Sequence, residues 1–234
     1  MNKEKKIEVN WDEAYLGLEE KGFFVIKNIF SKHTCDKIKN LYQVDSFFRN
    51  KIVMERYNFG KGEYKYLDYP LPIEVEKARK YLYEKLVNIA NVWQVKMRKE
   101  ELFPEEYPQF LEICHKNGQK RPTPLILKYK KGDFNCLHQD LYGDIYFPFQ
   151  VVIQLADSIN DYEGGELVLT EQRPRMQSKA NVISMQKGDA IVFAVNERPV
   201  NGKKGSYKVK MRHGVSEVKD GERFTLGIIF HDAS

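Results

Sequence analysis

The residues whose types and spacing could do chemistry sit in one stretch, Leu127–Leu141, LKYKKGDFNCLHQDL. It reads as a strand, Leu125–Tyr129, a turn at Lys131-Gly132-Asp133, and then His138-Gln139-Asp140. In extended backbone, residues two apart point to the same side, so His138 and Asp140 can aim at one point. An imidazole beside a carboxylate is half of a metal site. Taken alone, His-x-Asp is weak, because a turn histidine next to a capping aspartate is spelled the same way. A metal site needs a third ligand from another strand. Of the 5 histidines, His33 falls in the first turn of a helix, His115 closes a helix, and His231 lies near the C-terminal end. His213, in KVKMRHGVSEV, follows a strand deep in the β-rich half. Two histidines and one carboxylate on one face of a metal leave adjacent positions open, which suits non-haem Fe(II) oxygen chemistry better than a closed zinc site. Ten residues later, in GERFTLGIIF, Arg223 and Thr225 alternate with Phe224 and Leu226 and so share a face. A guanidinium and a hydroxyl near a metal make an anion receptor, fit for the far carboxylate of a dicarboxylate that chelates through its keto-acid end. Without His213 upstream, Arg223 would read as a surface strand arginine.

The elements that must position these residues are of two kinds. The chain has 234 residues, 42% hydrophobic and 30% charged, with 14 Phe and 14 Tyr, ordinary for a globular protein with a substantial β component. No apolar run reaches the roughly 20 residues of a membrane span, and the start, MNKEKKIEVN, lacks the apolar core of a secretory signal. Three widely spaced cysteines, Cys35, Cys114 and Cys136, argue against a disulfide framework or a zinc cluster. The expectation is a cytoplasmic protein. A net charge of +5 permits an acidic partner such as nucleic acid, although scattered Lys and Arg more often mark a solvated surface.

Residues 1–10 are charged and expected to fray. Helices are expected over Trp11–Glu20, from a Ser31 N-cap to about Tyr42, over Pro72–Met97 with a stripe of Ile73, Leu82, Leu86, Ile89 and Trp93, and over Pro104–His115. The aromatic and basic segment 46–69 fits no single period. From Pro122 the texture changes to short apolar runs at 124–129, 147–155, 166–170, 181–185, 190–195, 207–213 and 223–230, each bounded by Gly, Asp, Asn or Pro. That spacing suggests a sandwich or jelly roll. The expected class is α+β: residues 122–234 form a β core, residues 1–121 a helical or mixed support, and the whole one compact domain.

Ordered along the C-terminal half are Tyr129-x-x-Gly132, His138-x-Asp140, Glu163-Gly164-Gly165-Glu166-Leu167, Gly188-Asp189-Ala190 with Phe193, His213-Gly214-Val215, Gly221 and Arg223. In this pattern the chain resembles the Fe(II)/2-oxoglutarate-dependent dioxygenases, in particular their prolyl 4-hydroxylase-like branch, over about residues 122–232. The resemblance implies a double-stranded β-helix, the cupin-like jelly roll, with Fe(II) on His138, Asp140 and His213 and 2-oxoglutarate held by Arg223. It places Tyr129 where the family's tyrosine helps bind the 2-oxoglutarate tail. Gln150 and Gln154, four apart in FPFQVVIQL, share a face of a strand that meets the co-substrate in related enzymes. Gln154 is carried as a carboxylate donor and Gln150 as a weaker one, with edge-strand polar positions the plainer reading of both. Many members use Lys where Arg223 stands.

The implied activity is hydroxylation of a C–H bond with release of succinate and carbon dioxide, with ascorbate as an optional reductant. A prolyl-hydroxylase-like action on a protein or peptide is the first expectation for the substrate. Oxidative demethylation of nucleic-acid bases and hydroxylation of a small metabolite are the alternatives, and a non-catalytic cupin-like binding module is the reading from another class. Arg173 and Arg175, in TEQRPRMQSKAN, stand near where family members meet substrate, but the chain lacks the further arginine that the demethylase branch places after its 2-oxoglutarate arginine. Arg56, Tyr57 and Tyr64 to Tyr66 could form a lid. Oligomeric state is not encoded in any of these features.

Overall fold

A computed structural model describes residues 9–203 and 205–234; most of the charged start lies outside the described residues. The first elements follow local rules. Asn10 caps α1 (Trp11–Lys21), and Gly22 ends it in the left-handed conformation at φ 77°. After β1 (Phe23–Ile26), the Ser31 hydroxyl accepts from the Thr34 N–H at 3.0 Å and opens α2 (Lys32–Leu41). Segment 46–69 then folds as three short strands, β2 (Phe48–Val53), β3 (Gly60–Lys61) and β4 (Glu63–Leu67), interrupted by a 3-10 turn at Met54–Tyr57. The long helix α3 (Ile73–Lys96) and α4 (Tyr107–Lys116) follow.

The remainder is β: β5 (Leu125–Lys130), β6 (Phe134–His138), β7 (Phe149–Gln154), β8 (Tyr162–Gly164), β9 (Leu167–Gln172), β10 (Lys179–Ile183), β11 (Ala190–Ala194), β12 (Glu197–Gly202), β13 (Gly205–Val215) and β14 (Val218–Ile229). The larger sheet runs β1-β11-β7-β14-β5-β4-β2, with β8 added to β14. The smaller runs β10-β9-β13-β6-β3, with β12 added to β13. All of these pairings are antiparallel. Together they form the expected double-stranded β-helix, α+β in class and β-rich.

Period-2 burial explains how the larger sheet is covered on both faces. Val151, Ile153, Leu226 and Ile228 pack with the helices, against Leu82, Leu86, Ala90 and Trp93 of α3, in one cluster. Val152, Ile191 and Phe193 point the other way and join Leu167, Leu169 and Val215 between the sheets. Trp93 meets Phe149 at a centroid distance of 4.5 Å, so Trp93→Ala is expected to cost about 3–5 kcal/mol. Ile73, expected in the buried stripe, is exposed because the first turn of α3 carries it off the packed face. The N-terminal region does more than buttress: β1 and β4 extend the larger sheet on either side and β3 pairs with β6 of the smaller. Among the described residues no helix is long and apolar enough to cross a membrane.

Candidate active site

His138 ends β6 directly opposite His213 on β13, with ring centroids 4.2 Å apart. The ladder loses register just beyond this pair, between His213 and Val215. Glycine at 214 permits the close approach, since a Cβ there would sit 2.7 Å from the Asn135 carbonyl oxygen. Asp140, two residues past the strand end, faces both rings: Oδ1 is 3.4 Å from His138 Nε2 and Oδ2 is 3.2 Å from His213 Nε2. One ligand atom from each of the three residues lies within 4.8 Å of the others. The Nδ1 of His138 is 2.8 Å from the Cys136 carbonyl, which can only accept, so Nδ1 carries a proton and Nε2 turns to the cluster.

Burial opposes ionisation of Asp140, but hydrogen bonds and charge from the two imidazoles win and hold its carboxyl well below the usual range. Burial, together with the charge of His138, pushes His213 down against the pull of Asp140. His138 moves up because the Asp140 carboxylate outweighs the burial that would lower it. An ionised carboxylate and a neutral histidine are what a metal requires of its ligands. The Tyr142 hydroxyl donates to Asp140 Oδ1 at 2.8 Å, and its ring stands edge-on to Tyr66 at 6.4 Å.

These residues open into a cavity of about 330 Å³ between the sheets, a size typical of small-ligand sites. Arg223 lines it from β14, opposite Tyr129 on β5, only 2% exposed. Its guanidinium carbon lies 5.6 Å from the centre of the Tyr129 ring, and its Nε has no partner. It makes no ion pair among the described residues; the neighbouring Glu222 turns to Lys128 at 3.0 Å. Gly165 leaves room for the guanidinium stem, because a Cβ there would be 3.0 Å from Arg223 Cδ. Gln150 adds a second orphan: its Oε1 is buried without a partner while its Nε2 lies 3.3 Å from His213 Nε2. Buried polar groups without partners are rare and call for a ligand, an ion or water.

Of the residues singled out by sequence, His138, Asp140, His213, Arg223, Thr225, Tyr129 and Gln150 all line this cavity. Gln154 does not, and the expectation of a carboxylate donor there is corrected. Although its register partner Thr225 lines the cavity, the Gln154 amide donates instead to the carbonyls of Ala156 at 3.1 Å and Phe224 at 3.5 Å. Arg173 and Arg175 are also away from the cavity; Arg173 pairs with Glu171 at 2.6 Å, and Glu171 also holds the buried Arg198. Tyr64 and Tyr66 are wall rather than lid: Tyr64 lines the cavity and Tyr66 is buried, while Lys65 between them turns the opposite way to Asp45 at 2.7 Å. Sequence reasoning missed Asn58, Phe59, Asn135 and Tyr142. The Tyr-x-Tyr alternation at 64 and 66 was a usable signal of a strand facing the site. Tyr142, in an irregular loop, had none.

Residues 62–233 match the model of the Oxygenase-NA family, described as an oxygenase catalysing oxidative methylation of damaged DNA. The chain belongs to this family. It is an oxygenase, hence an oxidoreductase. Two uncharacterised proteins from Mycobacterium tuberculosis strains, CDC 1551/Oshkosh and H37Rv, are each 45% identical over 165 residues, 70% of this chain and 71% of theirs. Among solved structures, a Pseudomonas putida prolyl-4-hydroxylase superposes with a TM-score of 0.58 at 13% identity, covering 96% of this chain and 99% of that one. A Trichoplax adhaerens prolyl hydroxylase, in complex with a hypoxia inducible factor peptide fragment, gives 0.61 at 15% identity over 95% and 89%. A Burkholderia pseudomallei oxidoreductase of the 2OG-Fe(II) oxygenase family gives 0.51 at 17% over 97% and 94%. At these identities the structures establish the shared fold.

Proposed function

We propose that this oxygenase uses Fe(II) and 2-oxoglutarate to oxidise a C–H bond on a nucleic-acid base. The observation that carries the co-substrate is Arg223, a buried cation lining the cavity with an unpartnered Nε and no direct ion pair among the described residues. Burying an uncompensated charge is unfavourable by several kcal/mol, so the site is built for an anion. The donor set fits the metal too: two imidazoles and a carboxylate converge, and the neighbouring Gln150 oxygen is unpartnered.

In this reading His138, Asp140 and His213 hold the iron, while Arg223, Thr225 and Tyr129 hold the far carboxylate of 2-oxoglutarate. When bound, the pair supplies oxygen activation, the co-substrate leaving as succinate and carbon dioxide. The chain's own part is orientation and exclusion of water. Leu125, Leu127, Val152 and Ile229 line the cavity and keep the field around Arg223 unscreened. Tyr142 fixes one oxygen of Asp140 so that the other is presented to the metal. Residues 122–234 form the catalytic core, and residues 1–121 supply support and part of the rim.

The sequence alone put a protein or peptide residue first. The family description weighs more than the prolyl-hydroxylase fold, which is shared at 13–17% identity, and the net charge of +5 agrees with a polyanionic substrate. The test is succinate release from 2-oxoglutarate with Fe(II), oxygen and ascorbate, stimulated in turn by methylated oligonucleotides and by peptides. Stimulation by the oligonucleotides, lost in Arg223→Met, is expected. Turnover stimulated only by peptides would move the substrate class, and failure to bind 2-oxoglutarate would sink the reading altogether.

A further inference from the structure

The segment 54–61 hangs over the cavity mouth and is tied to the metal-ligand strand. The Met54–Tyr57 turn ends in Asn58 at φ 58°, and β3 then pairs Gly60 with Asn135 and Lys61 with Phe134. The Phe59 N–H donates to the Met54 carbonyl at 3.2 Å, and its carbonyl accepts from the Cys136 N–H at 2.9 Å, two residues before His138. On this braced turn the rings of Tyr57 and Phe59 lie stacked, 5.5 Å apart and 21° from parallel. Yet Tyr57 is 53% exposed and Phe59 47%. Phe59 and Asn58 line the cavity, as do the exposed Leu137 and Leu141. Exposed apolar surface gathered at one mouth, rimmed by polar residues, marks an interaction site.

The charges say of which kind. Arg56 and Lys61 flank the ring pair, both exposed, and neither makes an ion pair among the described residues; Glu55 is the single acid in the segment. Flat π faces on a segment that also carries two unpaired cations fit a chain of bases and phosphates better than an apolar peptide, which would leave the cations unmatched. A base stacked inside a duplex could not reach a cavity between two sheets, so the strand must be single or locally opened.

We propose that Tyr57 and Phe59 form a stacking platform for single-stranded nucleic acid, holding a base next to the one that enters the cavity, with Arg56 and Lys61 against the flanking phosphates. The proposal rests on the nucleic-acid reading of the substrate. Its test is fluorescence anisotropy of a fluorescein-labelled oligothymidylate with the full chain, anaerobically, with Fe(II) and 2-oxoglutarate present. Tyr57→Ala and Phe59→Ala should each weaken binding by roughly tenfold or more, while Tyr57→Phe and Phe59→Tyr stay near wild type. Phe59→Leu, apolar but without a ring, should lose affinity as Phe59→Ala does. The pair Arg56→Ala with Lys61→Ala should flatten the salt dependence by about 0.7 in slope for each phosphate that is no longer neutralised. Thermal midpoints serve as the folding control. Absence of binding by the wild type, wild-type affinity in both alanine variants, or wild-type affinity in Phe59→Leu would each overturn the platform, the last handing the rim to an apolar peptide. Ring-dependent oligonucleotide binding without any succinate release would instead sink the catalytic reading and leave the platform standing. Succinate release stimulated by nucleic acid but indifferent to Tyr57→Ala and Phe59→Ala would do the reverse.

Discussion

Two buried arginines in this protein have opposite surroundings. Arg79, on α3, uses its guanidinium fully: Nε donates to the Ile229 carbonyl at 2.9 Å, Nη1 to the Tyr69 hydroxyl at 3.2 Å, and Nη2 to Asp232 at 2.8 Å, Phe230 at 3.1 Å and Thr123 at 3.2 Å. Its counter-ion Asp232 is itself held by His115 at 2.8 Å and the Tyr69 hydroxyl at 2.9 Å. Arg223, equally buried, has an orphan Nε and an aromatic face for company. Both clusters contain arginine, aspartate, histidine and tyrosine, so residue type does not tell a structural network from a binding site. Satisfaction does. A complete network fastens the C-terminal segment to α3, and an incomplete one is what the proposed 2-oxoglutarate site would require.

The sharpest way to break that contrast is to remove one partner from each network. Asp232→Asn keeps the shape and leaves Arg79 as an uncompensated buried charge, so unfolding by denaturant should show a loss of about 3–5 kcal/mol. A loss under about 1 kcal/mol would mean that the Arg79 cluster is not structural in this sense. Arg223→Met should behave in the opposite way: stability unchanged or raised, because an unpaired guanidinium has been replaced by an apolar chain, but 2-oxoglutarate affinity reduced by about 30-fold or more. Should Arg223→Met lower the unfolding free energy by several kcal/mol while sparing 2-oxoglutarate binding, the two arginines would have to exchange roles.

The contrast was only half legible in the sequence. The β half was readable because short apolar runs bounded by turn residues leave few other folds, and Arg223 drew attention through its place ten residues after His213. Arg79 sits inside the apolar stripe of α3, and a charge on that buried face is a signal of its own. Period 2 says which face of β7 carries Gln150 and Gln154 but not which amide is taken up by backbone carbonyls, as that of Gln154 is. Segment 46–69 defeated periodicity for a physical reason: a 3-10 turn separates strands of six, two and five residues, none long enough to show a period before the next turn. The cavity rim at Asn58 and Phe59 therefore stays hidden, and in the loop after β6 the sequence shows Asp140 but gives no sign of Tyr142.

His231 lies between the two networks; its own Nε2 is buried without a partner, and its titration gives a pH test of the region around Arg79. Burial, reinforced by the positive charge of Arg79, lowers its pKa from 6.5 to about 4. The Phe147 N–H donates to Nδ1 at 3.3 Å, which fits a neutral ring with its proton on Nε2. Between pH 6.5 and 4 the unfolded chain binds a proton that the folded one excludes, so stability is full above that window and falls as pH drops through it, by about 3 kcal/mol in all. Asp232, whose pKa is also lowered, adds its own loss further down, below the usual carboxylate value of 3.8. Measured against pH, the unfolding free energy of His231→Gln should lose the upper part of this slope. An unchanged slope would assign the acid sensitivity elsewhere.

The smallest effect, and the one that sharpens the contrast most, belongs to Tyr142. Its hydroxyl makes the one hydrogen bond to the Asp140 carboxylate from outside the His138, Asp140 and His213 group among the described residues, at 2.8 Å, and its ring is braced by Tyr66. A tyrosine in such a position holds a ligand in place without touching the metal, and losing a partner of that kind typically weakens metal binding by about 10- to 100-fold. Tyr142→Phe keeps the ring and its packing, so the expected result is weaker Mn(II) or Co(II) binding, read by calorimetry or by the visible spectrum of Co(II), with little change in thermal midpoint. If the variant lost stability but kept metal affinity, Tyr142 would belong with Tyr69 beside Arg79 as part of the scaffold. If it lost affinity alone, the incomplete network would reach outward past its ligands to Tyr142 and Tyr66, a rigid support ready before any ligand arrives.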